Sequence, residues 1–160
     1  MKIIFSRLLL SLTIILGACS TNTEALLLRG KVLLEDQKYA QATACLDSVI
    51  KQQPMWDDAY HMRAVAYFEQ QFYEQAIADF SRAIHLDSTI HERYYFRANA
   101  YQELKKYQYA LADYEIAIRK NPEFKDAYAN RGVIFYMQEE YQKALAEKQK
   151  LLKEKISKVF

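Results

Sequence analysis

The sequence repeats itself every 34 residues, and this period constrains the fold more than any other feature. One column of the repeat holds tyrosine, a second holds alanine and a third holds arginine, and small residues recur in a fourth. Their members are Tyr39, Tyr73, Tyr107 and Tyr141; Ala42, Ala76, Ala110 and Ala144; Arg29, Arg63, Arg97 and Arg131; and Gly30, Ala64, Ala98 and Gly132. A fixed period of this length is typical of structural units that stack and share one continuous core.

Each half of the repeat has the apolar spacing of a helix. In one half Tyr60, Ala64 and Tyr67 recur at intervals of three to four residues, and Ala76 and Phe80 do so in the next half. With only three Gly and two Pro, the chain has little material for strands and their turns. We therefore predict an all-α fold with helices at about 24–37, 39–52, 57–70, 73–86, 91–104, 107–120, 125–138 and 141–157.

These columns resemble the tetratricopeptide repeat over about residues 23–156, most closely in 59–83 and 94–117. The resemblance implies four helical hairpins, each of an A and a B helix, stacked into a right-handed α-α superhelix (solenoid). The expected repeats are 24–56, 57–90, 91–124 and 125–160. Lys148 occupies the column of Phe80 and Tyr114, so we expect the final helix to be a polar cap.

The first residues have the pattern of an export signal. Lys2 and Arg7 precede an uncharged apolar run, Leu8–Leu16, which is too short to cross a bilayer as a helix. The following Leu16–Cys19 resembles the lipobox of bacterial lipoproteins. This resemblance implies a signal peptide over 1–18, a Cys19 that carries diacylglyceryl and N-acyl chains such as palmitate, and a short tether over 19–23. The alternatives are an uncleaved anchor, or a simple signal with a chance cysteine.

The expected location is therefore the bacterial cell envelope, with the protein anchored to a membrane by its lipid. No Asp follows Cys19, which favours the outer membrane, facing the periplasm, if the cell is Gram-negative. Removal of 1–18 deletes two basic residues and no acidic ones, so the mature chain is close to neutral. We expect no nucleic-acid partner, because nothing supplies a cluster of phosphate-neutralising side chains. Cys45 then has no partner for a disulfide, and we expect it to be a buried, unreactive thiol.

The sequence contains no pattern typical of a catalytic or metal site. The three histidines, His61, His85 and His91, occupy different phases of the repeat. Asp57, Asp58 and His61 could in principle bind a metal, but acids in the first turn of a helix ordinarily serve its cap and dipole. We expect no enzymatic activity, no metal and no cofactor.

The arginine column admits two interpretations. Arg63, Arg97 and Arg131 could form an anion-binding ladder, or each could pair with the acid sixteen residues later. Those acids are Asp79, Asp113 and Glu147, and a helical hairpin brings such positions together. We favour ion pairs within each repeat.

The resemblance also implies a concave groove that is lined by one face of the A helices. Its expected lining is Glu24, Leu27, Lys31, Leu34, Asp58, His61, Val65, Phe68, Glu92, Tyr95, Asn99, Gln102, Asp126, Ala129, Val133 and Tyr136. Aromatic and apolar side chains edged by acids suit an extended or helical segment that carries basic residues. Alternatively, the four acids of this set only stabilise their helix dipoles.

Some relatives in the family hold a C-terminal carboxylate with Lys, Asn and Arg. This chain has Leu27, Lys31, Met62, Glu92 and Phe96 at those positions, so we do not expect a receptor for chaperone tails. The sequence thus predicts a membrane-anchored scaffold that binds a protein or peptide of unknown identity in its groove. The alternative is a structural envelope protein that self-associates through its ends or convex face and leaves the groove unused.

Overall fold

The computed structural model describes residues 22–157 of the 160-residue chain. The predicted signal peptide and the predicted lipidation site, Cys19, lie outside the described residues. Among the residues described, no helix has the length and apolar character needed to cross a bilayer.

The described chain is all-α, as predicted, and it contains eight helices and no strand. The helices are α1 (22–35), α2 (Tyr39–Gln52), α3 (Asp57–Glu69), α4 (Tyr73–Leu86), α5 (His91–Glu103), α6 (Tyr107–Lys120), α7 (Lys125–Met137) and α8 (Tyr141–Ser157). The observed bounds differ from the predicted ones only in the A helices. Helix α1 begins two residues earlier than expected and ends two residues earlier, and α3, α5 and α7 each end one residue earlier.

A left-handed residue ends each A helix and begins the tight turn into the B helix. The positive φ values are 59° at Gln37, 64° at Gln71, 56° at Lys105 and 62° at Glu139. After α3, the amide of Phe72 donates to the carbonyl of Tyr67 at 2.9 Å, and the amide of Gln71 donates to that of Phe68 at 2.9 Å. This is the Schellman pattern, which usually employs glycine. This chain forms all four turns without glycine, with Gln37, Gln71, Lys105 and Glu139 at the left-handed position.

Small residues allow the helices of each hairpin to cross closely. Ala64 and Ala76 are completely buried between α3 and α4, with Phe80 filling the space beside them. Ala98 and Ala110 occupy the same columns in the next hairpin, around Tyr114. Close crossing needs a small side chain at the point of contact, and the large neighbours then fill the adjoining grooves.

Successive hairpins stack so that A helices lie next to A helices. Besides packing within hairpins, α2 packs on α3, α4 on α5 and α6 on α7. Helix α3 also contacts α5, and α5 contacts α7. The A helices therefore form the inner wall of the stack, which is the concave groove.

Candidate functional site: the concave groove

The beginning of the groove has an apolar floor. Leu27 and Leu28 of α1 face Trp56, which directly precedes α3, and Met62 of α3 across a cavity of about 160 Å³. Glu24 and Lys31 stand at its edge. The structure thus brings three residues of the predicted lining, Glu24, Leu27 and Lys31, around one small pocket that can receive an apolar side chain.

His61 lies deeper in the groove, between two aromatic rings. Its ring centroid is 5.6 Å from those of both Phe80 and Phe96, and its Nδ1 atom has no hydrogen-bond partner. Burial lowers the pKa of His61 below its usual value of 6.5, and the positive charge of Arg93 acts in the same direction. The imidazole is therefore neutral at pH 7 and forms part of an aromatic wall.

Two further predicted residues of the second repeat, Val65 and Phe68, are half-buried beside this wall. The ring of Phe68 packs edge-on against Tyr73, with centroids 5.5 Å apart. Leu34 of the first repeat is likewise half-buried. These three side chains offer a partner only part of their surface.

A polar network crosses the groove in the third repeat. The hydroxyl of Tyr114 donates to Oδ1 of Asn99 at 2.6 Å, and the amide oxygen of Gln102 lies 2.9 Å from the same hydroxyl. From α7, Nδ2 of Asn130 donates to Oδ1 of Asn99 at 3.0 Å and to the hydroxyl of Tyr95 at 3.3 Å. Burial also raises the pKa of Tyr114, so it remains an un-ionised donor. The network fixes the amides in place before anything binds.

The four first-turn acids of the groove divide into two kinds. Asp58 accepts from Arg93 at 2.9 Å, and Glu92 lies 3.0 Å from Nδ1 of His91. Glu24 and Asp126 are exposed and have no ion pair within the described chain. The acids near the middle of the groove are therefore already engaged, whereas those at its two ends are available to a partner.

Arg93 is a structural residue that the sequence analysis missed. It occupies a column that holds alanine at Ala59 and Ala127, yet its side chain is only 1% exposed. Its guanidinium donates to Asp57 at 2.5 Å, to Asp58 at 2.9 Å and to the carbonyls of Ala83 and Asp87. It thereby ties the starts of α3 and α5 together. The break in the alanine column was the signal that could have revealed it.

The predicted ion pairs within the repeats are confirmed. Nε of Arg63 lies 2.6 Å from Asp79, Nε of Arg97 lies 2.7 Å from Asp113, and Nη2 of Arg131 lies 2.7 Å from Glu147. Each arginine also reaches the preceding repeat, where the partners are Asp47, Ser81 and Glu115, respectively. The arginines therefore link one repeat to the next and do not form an anion-binding ladder.

The groove residues of the last repeat lie at the surface of α7. Asp126, Ala129, Val133 and Tyr136 are all exposed on α7. Ala129, Val133 and Tyr136 line a cleft between α7 and α8. Helix α8 is polar along much of its length, but it also exposes Leu145 and Leu152, which are 47% and 48% accessible.

Cys45 was expected to be buried, but it is only half-buried. Its thiol donates to the carbonyl of Leu26 at 3.2 Å, and burial raises the pKa of Cys45 above its usual value. The thiolate is disfavoured, which agrees with an unreactive cysteine. The part of the chain that the structure covers has no cluster of three or more metal-ligating side chains.

Comparison with known proteins supports the fold. A family model for the tetratricopeptide repeat matches residues 27–89 and 95–157. A crystal structure of MamA superposes with a TM-score of 0.84 at 24% identity, covering 92% of this chain and 86% of that one. The tetratricopeptide domain of OM64 from Arabidopsis gives 0.69 at 24% identity, covering 71% and 94%.

A third similar structure contains a bound peptide. The first tetratricopeptide domain of Spaghetti (RPAP3), bound to the HSP90 peptide SRMEEVD, gives a TM-score of 0.70 at 24% identity, covering 72% of this chain and 92% of that one. No curated protein matches the chain in a sequence comparison.

Proposed function

Because this chain belongs to the tetratricopeptide repeat family, whose members generally mediate protein–protein interactions, we propose that it is a membrane-anchored scaffold of the bacterial cell envelope. Its concave groove binds an extended or helical segment of a partner protein. That segment presents apolar side chains to the groove and carries basic residues near both ends.

The observation that carries this proposal is the arrangement of apolar floor and unpaired acids. The pocket beside Leu27, Trp56 and Met62 removes an apolar side chain from water, which is the main favourable term in such an interface. Glu24 at its edge and Asp126 on α7 are exposed carboxylates at opposite ends of the groove. A basic residue opposite either acid would improve specificity and speed association.

The charge of the groove argues against an acidic ligand. The neighbouring structure of RPAP3 holds a peptide that ends in Glu-Glu-Val-Asp. In this chain the groove has exposed carboxylates at both ends, Glu24 and Asp126, and one lysine, Lys31, while the buried Arg93 is already bound to Asp57 and Asp58. Like charges placed opposite one another weaken binding, so this groove discriminates against such a tail.

The membrane anchor rests on the export-type sequence before α1. If Cys19 is acylated, only Ser20 and Thr21 separate it from the first described helix, a reach of about 11 Å. The groove would then stand close to the lipid surface, so its partner is membrane-proximal. Labelling of cells with a palmitate analogue tests the anchor: we expect incorporation that is lost in Cys19→Ser, and unchanged labelling of that variant would contradict lipidation.

The groove has the character of a binding surface and not of a reaction centre. Its single histidine, His61, is neutral and packed between Phe80 and Phe96. A general base works best with a pKa near the operating pH and with a proton donor or acceptor in reach. Burial lowers the pKa of His61, and its Nδ1 atom has no hydrogen-bond partner, so His61 is not oriented as a general base. We propose that the protein does not catalyse a reaction.

Site-specific photo-crosslinking in cells tests the groove. We would place the crosslinker at Lys31 and at Asp126, which are exposed and lie in different repeats of the groove, and at Tyr109 as the control. Tyr109 is 63% exposed on α6, a B helix outside the inner wall. We expect one partner to be captured from both groove positions and not from Tyr109. Equal capture at all three positions would reject the groove as the binding surface.

A further inference from the structure

We propose that this chain binds a second copy of itself head to tail, with α1 of one copy seated between α7 and α8 of the next. The inference concerns the two ends of the stack. It does not require the partner segment of the groove, and a copy joined in this way keeps its middle repeats free.

Two residues on the outer face of α1 occupy repeat positions that are buried in every later A helix. Val32 is 47% exposed, whereas Ala66, Ala100 and Ile134, each 34 residues further along, are completely buried. Ala25 is exposed, whereas its equivalents Ala59, Arg93 and Ala127 are buried. Leu28, between them, is 63% exposed. Within residues 22–157, helix α1 thus presents an A-helix docking face that no described repeat covers.

The opposite end of the stack has the matching receptor surface. The cleft between α7 and α8 has a volume of about 240 Å³ and is lined in part by Tyr128, Gly132, Ala144 and Leu151. Each lies 34 residues after a member of the third-repeat core, and those members are Tyr94, Ala98, Ala110 and Ala117. Within the stack, that core packs against Ala127 and Ile134 of α7. The cleft therefore repeats an interior helix-docking surface that nothing in the described chain covers.

Contacts between repeats indicate how the two ends would meet. In the interior, Asn130 of α7 donates to Asn99 of α5. Leu28 lies three periods before Asn130, and Val133 lies one period after Asn99. At a junction between two copies, these two apolar residues would take the place of the two asparagines. Both are exposed, Leu28 at 63% and Val133 at 47%, and their burial would provide a favourable contribution.

The contact between each column arginine and the preceding repeat also has a counterpart at the junction of two copies. Arg131 binds Glu115 of the preceding repeat, and Arg97 binds the neutral Ser81 at the same position. Across the junction the equivalent pair is Arg29 and Gln149. An amide oxygen can accept from a guanidinium, so the junction has a hydrogen bond and no repulsion at this point.

These correspondences favour a second copy over another protein as the occupant. One chain carries both halves of the interior interface at the same period. Such a contact is heterologous, because each copy uses a different surface on each side, and repetition of it gives an open row or a closed ring. An isologous dimer of two identical ends would not bring Leu28 onto Val133.

Complementation between two variants of the full-length protein tests this polarity. Val32→Asp damages the α1 face and leaves the cleft intact, whereas Val133→Asp damages the cleft and leaves the α1 face intact. Two copies with different affinity tags are co-expressed and extracted in detergent, and the second tag is measured after capture on the first. Tyr109→Asp on the outer face is the control, and circular dichroism checks the fold of each variant.

For the unaltered chain and for Tyr109→Asp we expect co-capture. When both tagged copies carry the same end substitution, the amount of the second tag should fall by at least about tenfold, because an unpaired carboxylate enters an apolar contact. Val32→Asp paired with Val133→Asp should recover it, since one intact junction remains. Failure of the mixture to recover, or normal capture by either variant alone, would overturn the proposal.

A photo-crosslinker at Lys148 of the otherwise unaltered protein gives a measurement that does not depend on the variants folding. Lys148 is exposed on α8 and lines the cleft, but it is not one of the groove residues. We expect a crosslink to α1 of a second copy. Capture of a different protein, or of another region of the second copy, would overturn the proposed junction.

Discussion

Replacement of Asp79 by asparagine should destabilise the fold far more than the same change at Asp47, although both acids bind the same arginine. Asp79 accepts from Nε of Arg63 at 2.6 Å and from Nη2 at 2.8 Å, and its side chain is only 10% exposed. Asp47 accepts from Nη1 at 2.6 Å, but its side chain is 52% exposed. The two variants make one matched experiment on a single guanidinium.

The magnitude follows from burial. Removal of one partner from a buried pair costs about 3–5 kcal/mol, because the other charge is left without compensation. Arg63 is itself 18% exposed and keeps Asp47, so we reduce the expected cost of Asp79→Asn to about 2–3 kcal/mol. The exposed pair with Asp47 should contribute between about 0 and 1 kcal/mol.

Urea unfolding followed by circular dichroism measures both free energies. In thermal melts the midpoint should fall by roughly 6–12 °C for Asp79→Asn and by less than about 4 °C for Asp47→Asn. The gap should persist in high salt, since salt screens exposed pairs more than buried ones. Equal losses of stability in the two variants would refute the reasoning that burial determines the strength of these pairs.

Four further substitutions test the packing, the buried imidazole and the turns. Gly30→Ala should lower the free energy of unfolding in urea by about 1 kcal/mol, because the new methyl group would lie 2.9 Å from Leu46. Gly132→Ala should raise it by about 0.5–1 kcal/mol, because its methyl group meets Glu147 at 3.4 Å and alanine has the higher helix propensity. Stabilisation by both substitutions would contradict the packing of Gly30 in α1. The pKa of His61 is lower in the folded chain than in the unfolded chain, so the unfolded chain binds the proton more readily and the unaltered protein loses stability as the pH falls below about 6.5. His61→Phe should remove this part of the loss. An unaltered pH profile of stability would argue against a buried neutral imidazole. Lys105→Gly should raise the free energy of unfolding by about 0.5–1 kcal/mol, since glycine adopts the φ of 56° without strain; destabilisation would show that Lys105 contributes by another route.

The sequence predicts the helices well because the repeat supplies each boundary four times. The bounds of α2, α4, α6 and α8 agree with the prediction at every residue. The ion pairs of Arg63, Arg97 and Arg131 were also predictable, since a hairpin fixes which residues face each other. The earlier ends of α3, α5 and α7 were not predictable, because the left-handed residues that follow them are Gln71, Lys105 and Glu139, and these residue types give no local sequence signal comparable to glycine.

The details of the groove depended on contacts between repeats, which a column-by-column comparison does not show. Asp58 was assigned to the groove from its phase, but Arg93 of the next repeat binds it. The hydrogen bonds between Asn99 and Asn130 likewise cross from one A helix to another. Conversely, Val32 and Val133 are exposed because they lie in the end repeats. A neighbouring repeat covers the same positions in the interior of the stack.

Binding of the partner segment to charge-reversed grooves tests the central claim most directly. The segment captured at Lys31 would be synthesised and titrated against the full-length protein, against Glu24→Lys with Asp126→Lys, and against Glu74→Lys. Glu74 is an exposed first-turn acid of α4, a B helix outside the groove, and serves as the control for a charge change. We predict that the double reversal weakens binding by about tenfold or more at low salt and that Glu74→Lys leaves it unchanged. An unchanged or tighter dissociation constant for the double variant would contradict a groove that selects apolar segments flanked by basic residues.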